Sequence, residues 1–198
     1  MKMVKKGAKS KKVKVFQKKK NTDSCDKIIK TLENVEIDIS KVESFKDLPL
    51  SPPTLKGLLE SGYEKPTEIQ KESLVLSLKG SDILGAAKTG SGKTLAFLIP
   101  VLEVLFKKKW TRYDGVGALI ITPTRELAYQ IFETLRKVGF YHDFSAGLII
   151  GGKDLHFEKH RMDRVNIVIC TPGRLLQHMD ENPLFDCVNM QMLVLDEA

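Results

Sequence analysis

Two stretches of this sequence set chemistry-bearing residues at spacings that a folded chain can use. In "AAKTGSGKT" (86–94), Gly90 and Gly92 flank Ser91, and Lys93-Thr94 open an apolar run. Glycines at those positions let backbone N–H groups turn inward around phosphate oxygens, and a helix starting at Lys93 adds its free N–H groups and dipole. Lys93 then reaches the β and γ phosphates of a nucleotide, and Thr94 offers a hydroxyl to Mg²⁺. Ala87 stands where the usual pattern has glycine, which is compatible with negative φ. The second stretch is "MLVLDEA" (192–198), an apolar run that ends in two adjacent carboxylates. A phosphate loop needs a second contact for its metal, and in such folds an acid ending a neighbouring strand supplies it. Asp196 is the predicted Mg²⁺ ligand. Glu197 is the predicted group that orients and deprotonates the water attacking the γ phosphate.

Residues in these roles need a scaffold that brings strand ends together. Apolar runs at 82–87, 117–122, 146–151, 165–170 and 192–196 read as strands. Helical patterns fill the gaps at Lys93–Phe106, Thr124–Val138, Leu155–Met162 and Gly173–Met179. Pro100 should kink or break the first of these. Ahead of them, "LSPPTLKGLLESG" predicts a helix capped by Ser51, with Pro52 at its first position, Leu55, Leu58 and Leu59 on one face, and Gly62 at its end. A further helix is expected from Thr67 to about Leu78. Apolar strands alternating with helices predict an α/β fold: a parallel sheet covered on both faces, with ligands at the carboxyl ends of its strands.

The net charge of +7 is uneven, because residues 1–20 hold ten lysines and no acid. With those set aside, 22 basic and 25 acidic residues remain, a balance of −3. A lysine run this poor in large apolar residues is expected to be disordered and to serve as a nuclear or nucleolar address or as a tether to a phosphate backbone. Residues 21–44 read as a lead-in. No apolar stretch reaches 18 residues, so no membrane span is expected. Cys25, Cys170 and Cys187 are odd in number and form no CxxC, a reducing, intracellular pattern; Cys170 in "NIVIC" should pack as a small hydrophobe. His156 and His160 lie four apart, but "HFEKH" is not HExxH and no metal site is expected there. Trp110 and Tyr113 read as local packing rather than base stacking.

"AKTGSGKT" with "VLDEA" resembles the DEAD-box family of ATP-dependent RNA helicases. Phe45 followed by "GYEKPTEIQ" (62–70) resembles that family's Q motif, with Glu68 where a second proline is usual. "PTRELAYQ" (123–130), "GG" (151–152) and "TPGR" (171–174) resemble its RNA-contacting motifs, in the family's order. The resemblance covers Phe45 to Ala198 and implies the first of two RecA-like lobes, stopping one residue short of a complete Asp-Glu-Ala-Asp. A Ser-Ala-Thr motif and a second lobe with an arginine finger would follow. "GAAKTGSGKT", "HDFSAGLIIGGKDL" and "TPGRLLQHMDE" are most similar to a nucleolar subgroup acting in ribosome biogenesis.

The resemblance implies ATP and Mg²⁺ as ligands. Phe45 or Tyr63 would stack near the adenine, which Gln70 would read, beside Lys65 and Thr67. Ala87, Lys88, Thr89, Gly90, Ser91, Gly92, Lys93 and Thr94 would hold the phosphates. Read without it, Thr67 and Gln70 have the spacing of a capping box. Pro123, Thr124, Arg125, Gly151, Gly152, Thr171, Pro172, Gly173 and Arg174 would contact RNA through phosphate and sugar, independent of sequence. Pre-ribosomal RNA and proteins would be the partners of a monomer, in the nucleus and nucleolus. Two other readings stay open: a different phosphate-loop enzyme, such as a GTPase or small-molecule kinase, and a non-catalytic RNA-binding fragment. A GTPase would want an NKxD-like guanine reader, which the sequence lacks.

Overall fold

The structure is a computed structural model that describes residues 26, 29, 30, 37–88, 90–152, 165–182 and 185–197. The lysine run 1–20, Cys25, the helix expected at 155–162 and its histidines lie outside the described residues.

Four short strands form one parallel sheet: β1 (Ala118–Ile121), β2 (Ala146–Ile149), β3 (Ile167–Cys170) and β4 (Met192–Leu195), in the order β2-β3-β1-β4. The register pairs Ile121 with both Cys170 and Leu195, so three strands end level with one another. Among the described residues, five α-helices with both ends placed accompany them: α1 (Pro52–Glu60), α2 (Glu68–Leu78), α3 (Lys93–Lys107), α4 (Arg125–Val138) and α5 (Pro172–Glu181). All four strands and all five helices fall within the stretches predicted for them, apart from one or two residues at their ends.

Period-two alternation sends the strand side chains to two cores. Ala118, Ile120, Ile167, Ile169 and Val194 face α3 and α4, where they meet Leu98, Leu102, Leu105, Ile131 and Leu135. Leu119, Val168, Cys170 and Ile149 face the other way, against Leu175 of α5. Cys170 packs as expected of a small hydrophobe, and burial pushes its thiol up to about 12. The core also takes in Val42, three residues ahead of the expected start of the lobe, and Phe45.

Four expectations fail for physical reasons. The run at 82–87 is not a strand. Leu84 is fully exposed and Ile83 is 42% exposed, and β4, at the edge of the sheet, bonds only to β1. An apolar run becomes a strand only where a neighbour offers ladder hydrogen bonds, and none reaches this one. β4 is also buried on one face only, with Leu193 and Leu195 exposed on the other. Pro100 does not break α3, which runs through it from Lys93 to Lys107. An interior proline costs about 3 kcal/mol, whereas the eight buried residues of α3 contribute roughly 1.5–3 kcal/mol for each large apolar side chain. Burial wins. Finally, Ser51 precedes α1 but makes no capping bond with its side chain. Its Oγ donates to Glu103 Oε1 at 2.7 Å, and its N–H donates to the same carboxylate. Burial raises the pKa of this Glu103, which is 1% exposed.

Candidate functional site

The phosphate loop folds as its glycines dictate. Gly90 and Gly92 adopt φ of +82° and +95°, a left-handed conformation that side chains resist. Gly92 has a second constraint. A Cβ there would lie 2.4 Å from Gln70 Nε2 and 3.0 Å from Thr67 Oγ1. The hydrogen at this position is what lets α2 approach the loop. Among the described residues, Ser91 Oγ is the one buried side-chain polar atom with no hydrogen-bond partner. An orphaned hydroxyl inside a glycine cradle fits a phosphate oxygen. Ala87 and Lys88 lead into the loop, half-buried and exposed respectively, and Thr89 lies outside the described residues.

Lys93 and Thr94 open α3, as predicted. Lys93 Nζ donates to Glu197 Oε1 at 2.9 Å, so the loop and the end of β4 meet. Glu197 holds φ of +56°, an uncommon conformation for a residue with a side chain. Asp196 is fixed twice: its N–H donates to Ile121 O at 2.8 Å, and its Oδ2 accepts from Thr122 Oγ1 at 3.0 Å. Thr122, 1% exposed, is a positioning residue that sequence reasoning missed. Its signal was available: it ends the β1 run directly before "PTRE", as Asp196 ends the β4 run. Among the described residues no group of three His, Cys, Asp or Glu could hold a metal. A Mg²⁺ bound by one or two protein oxygens, with water and phosphate completing its shell, fits Thr94 and Asp196.

Gln70 forms the capping box that its spacing from Thr67 predicts. It is 3% exposed and both ends of its amide are engaged. Oε1 accepts from Thr67 N at 2.9 Å, the reciprocal half of a capping box, and Nε2 donates to Gly92 O at 2.9 Å. In this conformation Gln70 grips the phosphate loop. Phe45 is fully buried, and its N–H donates to Glu64 O at 3.1 Å. In this structure its ring lies in the core and anchors the stretch that carries Tyr63 and Lys65, both exposed.

The RNA candidates gather at the same pole of the sheet. Arg125, at the start of α4, lays its guanidinium over the glycine pair. A Cβ on Gly151 would lie 2.9 Å from Nη2, and one on Gly152 would lie 2.9 Å from Nη1. Thr124, after exposed Pro123, accepts from Leu127 N at 3.2 Å, so one first-turn N–H of α4 is taken. Thr171 makes no such bond at α5. Its N–H reaches Ile149 O at 3.2 Å, which ties the ends of β2 and β3 together. Pro172 and Gly173 are exposed, and Arg174 donates to Gln177 at 2.9 Å. Trp110 packs locally as expected, with its Nε1 donating to Gly115 O. Tyr113 does not, because it is 81% exposed.

A family model described as DEAD/DEAH box helicase matches residues 67–198. The chain is 56% identical over 193 residues to "ATP-dependent RNA helicase dbp4" of Neosartorya fischeri, covering 98% of this chain and 24% of that protein. It is 63% identical over 172 residues to "Probable ATP-dependent RNA helicase DDX10" of Mus musculus, covering 86% of this chain and 20% of that protein. Among solved structures, a DEAD box protein from the hyperthermophile Methanococcus jannaschii superposes with a TM-score of 0.72 at 34% identity, over 78% of this chain and 41% of that one. The chain thus spans about a quarter of its curated relatives or less. The glycine loop joined to an Asp-Glu strand end and the matched model agree: the chain belongs to the DEAD/DEAH box helicase family.

Proposed function

We propose that residues 45–198 form an ATP-binding lobe of an RNA helicase, with residues 1–44 as a basic tail and lead-in. The contact between Lys93 and Glu197 carries this reading, because it joins a phosphate cradle to the group that would activate water. Lys93 exchanges Glu197 for the β and γ phosphates when ATP arrives. Mg²⁺, held by Thr94 and Asp196 with water and phosphate oxygens, supplies positive charge to those phosphates when bound. Glu197, released, orients a water and takes its proton as the water oxygen attacks the γ phosphorus and the bond to the β–γ bridging oxygen breaks. Thr122 holds Asp196 still throughout.

Arg125 over Gly151-Gly152, with the start of α5, offers charge and free N–H groups to an RNA backbone. Pre-ribosomal RNA is the proposed substrate class and the nucleolus the proposed compartment, on the strength of the likeness to dbp4 and DDX10 and of the lysine tail. Gln70 keeps one Nε2 hydrogen and one Oε1 lone pair for adenine while it holds Gly92, so adenine binding and the loop's shape are coupled.

Calorimetry tests this reading. ATP with Mg²⁺ should bind better than GTP, and Lys93→Ala should abolish binding, since it removes the charge facing the terminal phosphates. Equal affinity for ATP and GTP would remove the adenine-reading role. Hydrolysis by this lobe alone should be negligible. An arginine finger accounts for roughly 10³ to 10⁵ in rate, and the family resemblance puts that arginine on a second lobe. Turnover near 1 s⁻¹ with saturating RNA, the low end of the ~1–100 s⁻¹ typical of kinases, would show that one lobe suffices.

A further inference from the structure

The pole of the sheet opposite the motifs carries a feature that none of the chemistry above uses. Between α3 and β1, "KKKWTRYDG" (107–115) sets Lys107, Lys108, Lys109 and Arg112 around Trp110 and Tyr113. The turn within it is tightly held. Thr111 N–H and Oγ1 both donate to Asp114 Oδ2, at 2.7 and 2.6 Å. Tyr113 N–H reaches Thr111 Oγ1 at 3.3 Å, and Asp114 N–H reaches Thr111 O at 3.1 Å. Asn166, wholly buried at the start of β3, clasps the turn from below, donating to Thr111 O at 2.9 Å and Gly115 O at 3.1 Å.

This rigid turn displays a ring that the core leaves largely in solvent. Tyr113 is 81% exposed, with the Arg112 guanidinium 5.2 Å from its centroid. A core has no use for such a ring, whereas a base does, because stacking works on any base and a preorganised platform loses little entropy on binding. The surroundings are cationic. Lys108 and Arg112 are exposed, and Lys107 and Lys108 also line a cleft of about 620 Å³ with Lys79. Two acids are close, and both are occupied: Asp114 by Thr111, and Asp26 by Lys109. That last ion pair brings Asp26, six residues after the last lysine of the run in sequence, to this turn.

We propose that this turn is a second contact surface for single-stranded RNA. Tyr113 stacks on a base, while Arg112 and Lys108 meet the flanking phosphates. It lies at the amino ends of the strands, one strand length (about 13 Å for four residues) from the motif pole. Exposed aromatic and cationic groups together favour RNA over an acidic protein segment, which would need the charges but not the ring.

The test uses the full 198-residue chain and a labelled oligouridylate, read by fluorescence anisotropy. Tyr113→Ala should weaken binding by about tenfold, the scale of one lost base stack, while ATP affinity stays unchanged. Tyr113→Phe should keep RNA affinity because it keeps the ring. Trp110, the only tryptophan, sits in the turn and serves as a local reporter. Its emission should change when the oligonucleotide is added and should not change in Tyr113→Ala. Unchanged RNA affinity in Tyr113→Ala overturns the proposal, as does silence of Trp110 at saturating RNA. Polyglutamate binding that needs Arg112 and Lys108 but not Tyr113 also overturns it, in favour of an acidic protein partner. Loss of RNA binding in Arg125→Glu alone, with Tyr113→Ala normal, would leave the motif pole as the RNA site and remove this one.

Discussion

His142 shows how a single residue can set a pH limit that no motif announces. Its Nε2 lies 2.9 Å from Thr54 Oγ1, its ring stacks on Phe144, and it meets Phe106 edge-on. Burial lowers its pKa to about 4, and only Asp143 pulls the other way. The unfolded chain takes up a proton near 6.5 while the folded chain refuses it until about 4. Stability from this group is therefore complete above 6.5 and is lost as pH falls toward 4, by up to about 3 kcal/mol. Glu103, raised by burial, acts in the opposite direction as it protonates. His142→Gln isolates the histidine: its melting temperature should fall less than that of the wild type between pH 6.5 and 4. An equal fall would assign the acid sensitivity to the carboxylates. Of the site residues, those whose role rests on backbone form were readable from sequence. Gly90, Gly92, Lys93 and Thr94 follow from the loop, and Asp196 from the end of a strand. Thr122 and the bond from Gln70 to Gly92 were not, because a hydroxyl or an amide has several possible partners and only the fold selects one, whereas the capping box of Thr67 and Gln70 was readable from spacing.

At the scale of elements, periodicity located the four strands and the five α-helices from Pro52 onward, but not the short 3-10 turns at Ile39–Lys41 and Phe45–Asp47. It failed where an element depends on a neighbour. The run at 82–87 is as apolar as β1, yet it forms no ladder, since strand formation is a property of pairs. Loops carry the same lesson in reverse. "KKKWTRYDG" has no period, but Asn166 makes it as ordered as a helix cap. Asn166 Oδ1 also accepts from Ser145 N–H at 3.1 Å and from Ser145 Oγ at 3.2 Å. One buried amide thus joins the α3–β1 turn, the entry to β2 and the start of β3. Asn166→Ala should destabilise the chain by about 2–4 kcal/mol, since it strands several buried partners at about 1 kcal/mol or more each. Chemical denaturation checks this. A change below ~0.5 kcal/mol would show that water replaces the amide.

For the whole molecule the main fact is polarity. The phosphate-loop and Asp-Glu motifs lie at the carboxyl ends of the strands, and the cationic turn, with Asp26 beside it, lies at the amino ends. In sequence, a nearly neutral body follows a run of ten lysines. RNA affinity should therefore depend steeply on salt, and the dependence should belong to the tail. Deleting residues 1–20 should flatten the slope of log affinity against log salt by up to ~0.7 for each lysine that met a phosphate on a single strand. An unchanged slope would leave the tail as an address or spacer.

If the chain binds ATP as proposed, the ion pair between Lys93 and Glu197 makes nucleotide release a matter of competition. Both side chains are partly exposed, 28% and 44%, so the pair is worth about 1 kcal/mol or less. That is too little to keep a triphosphate out, but enough to slow recapture. A departing nucleotide would leave behind a cation whose replacement partner is tethered within bonding distance, and so competes without having to diffuse in. The lobe would then reset itself each time it empties, and the residue that would help break the γ bond would also help clear the cradle afterwards.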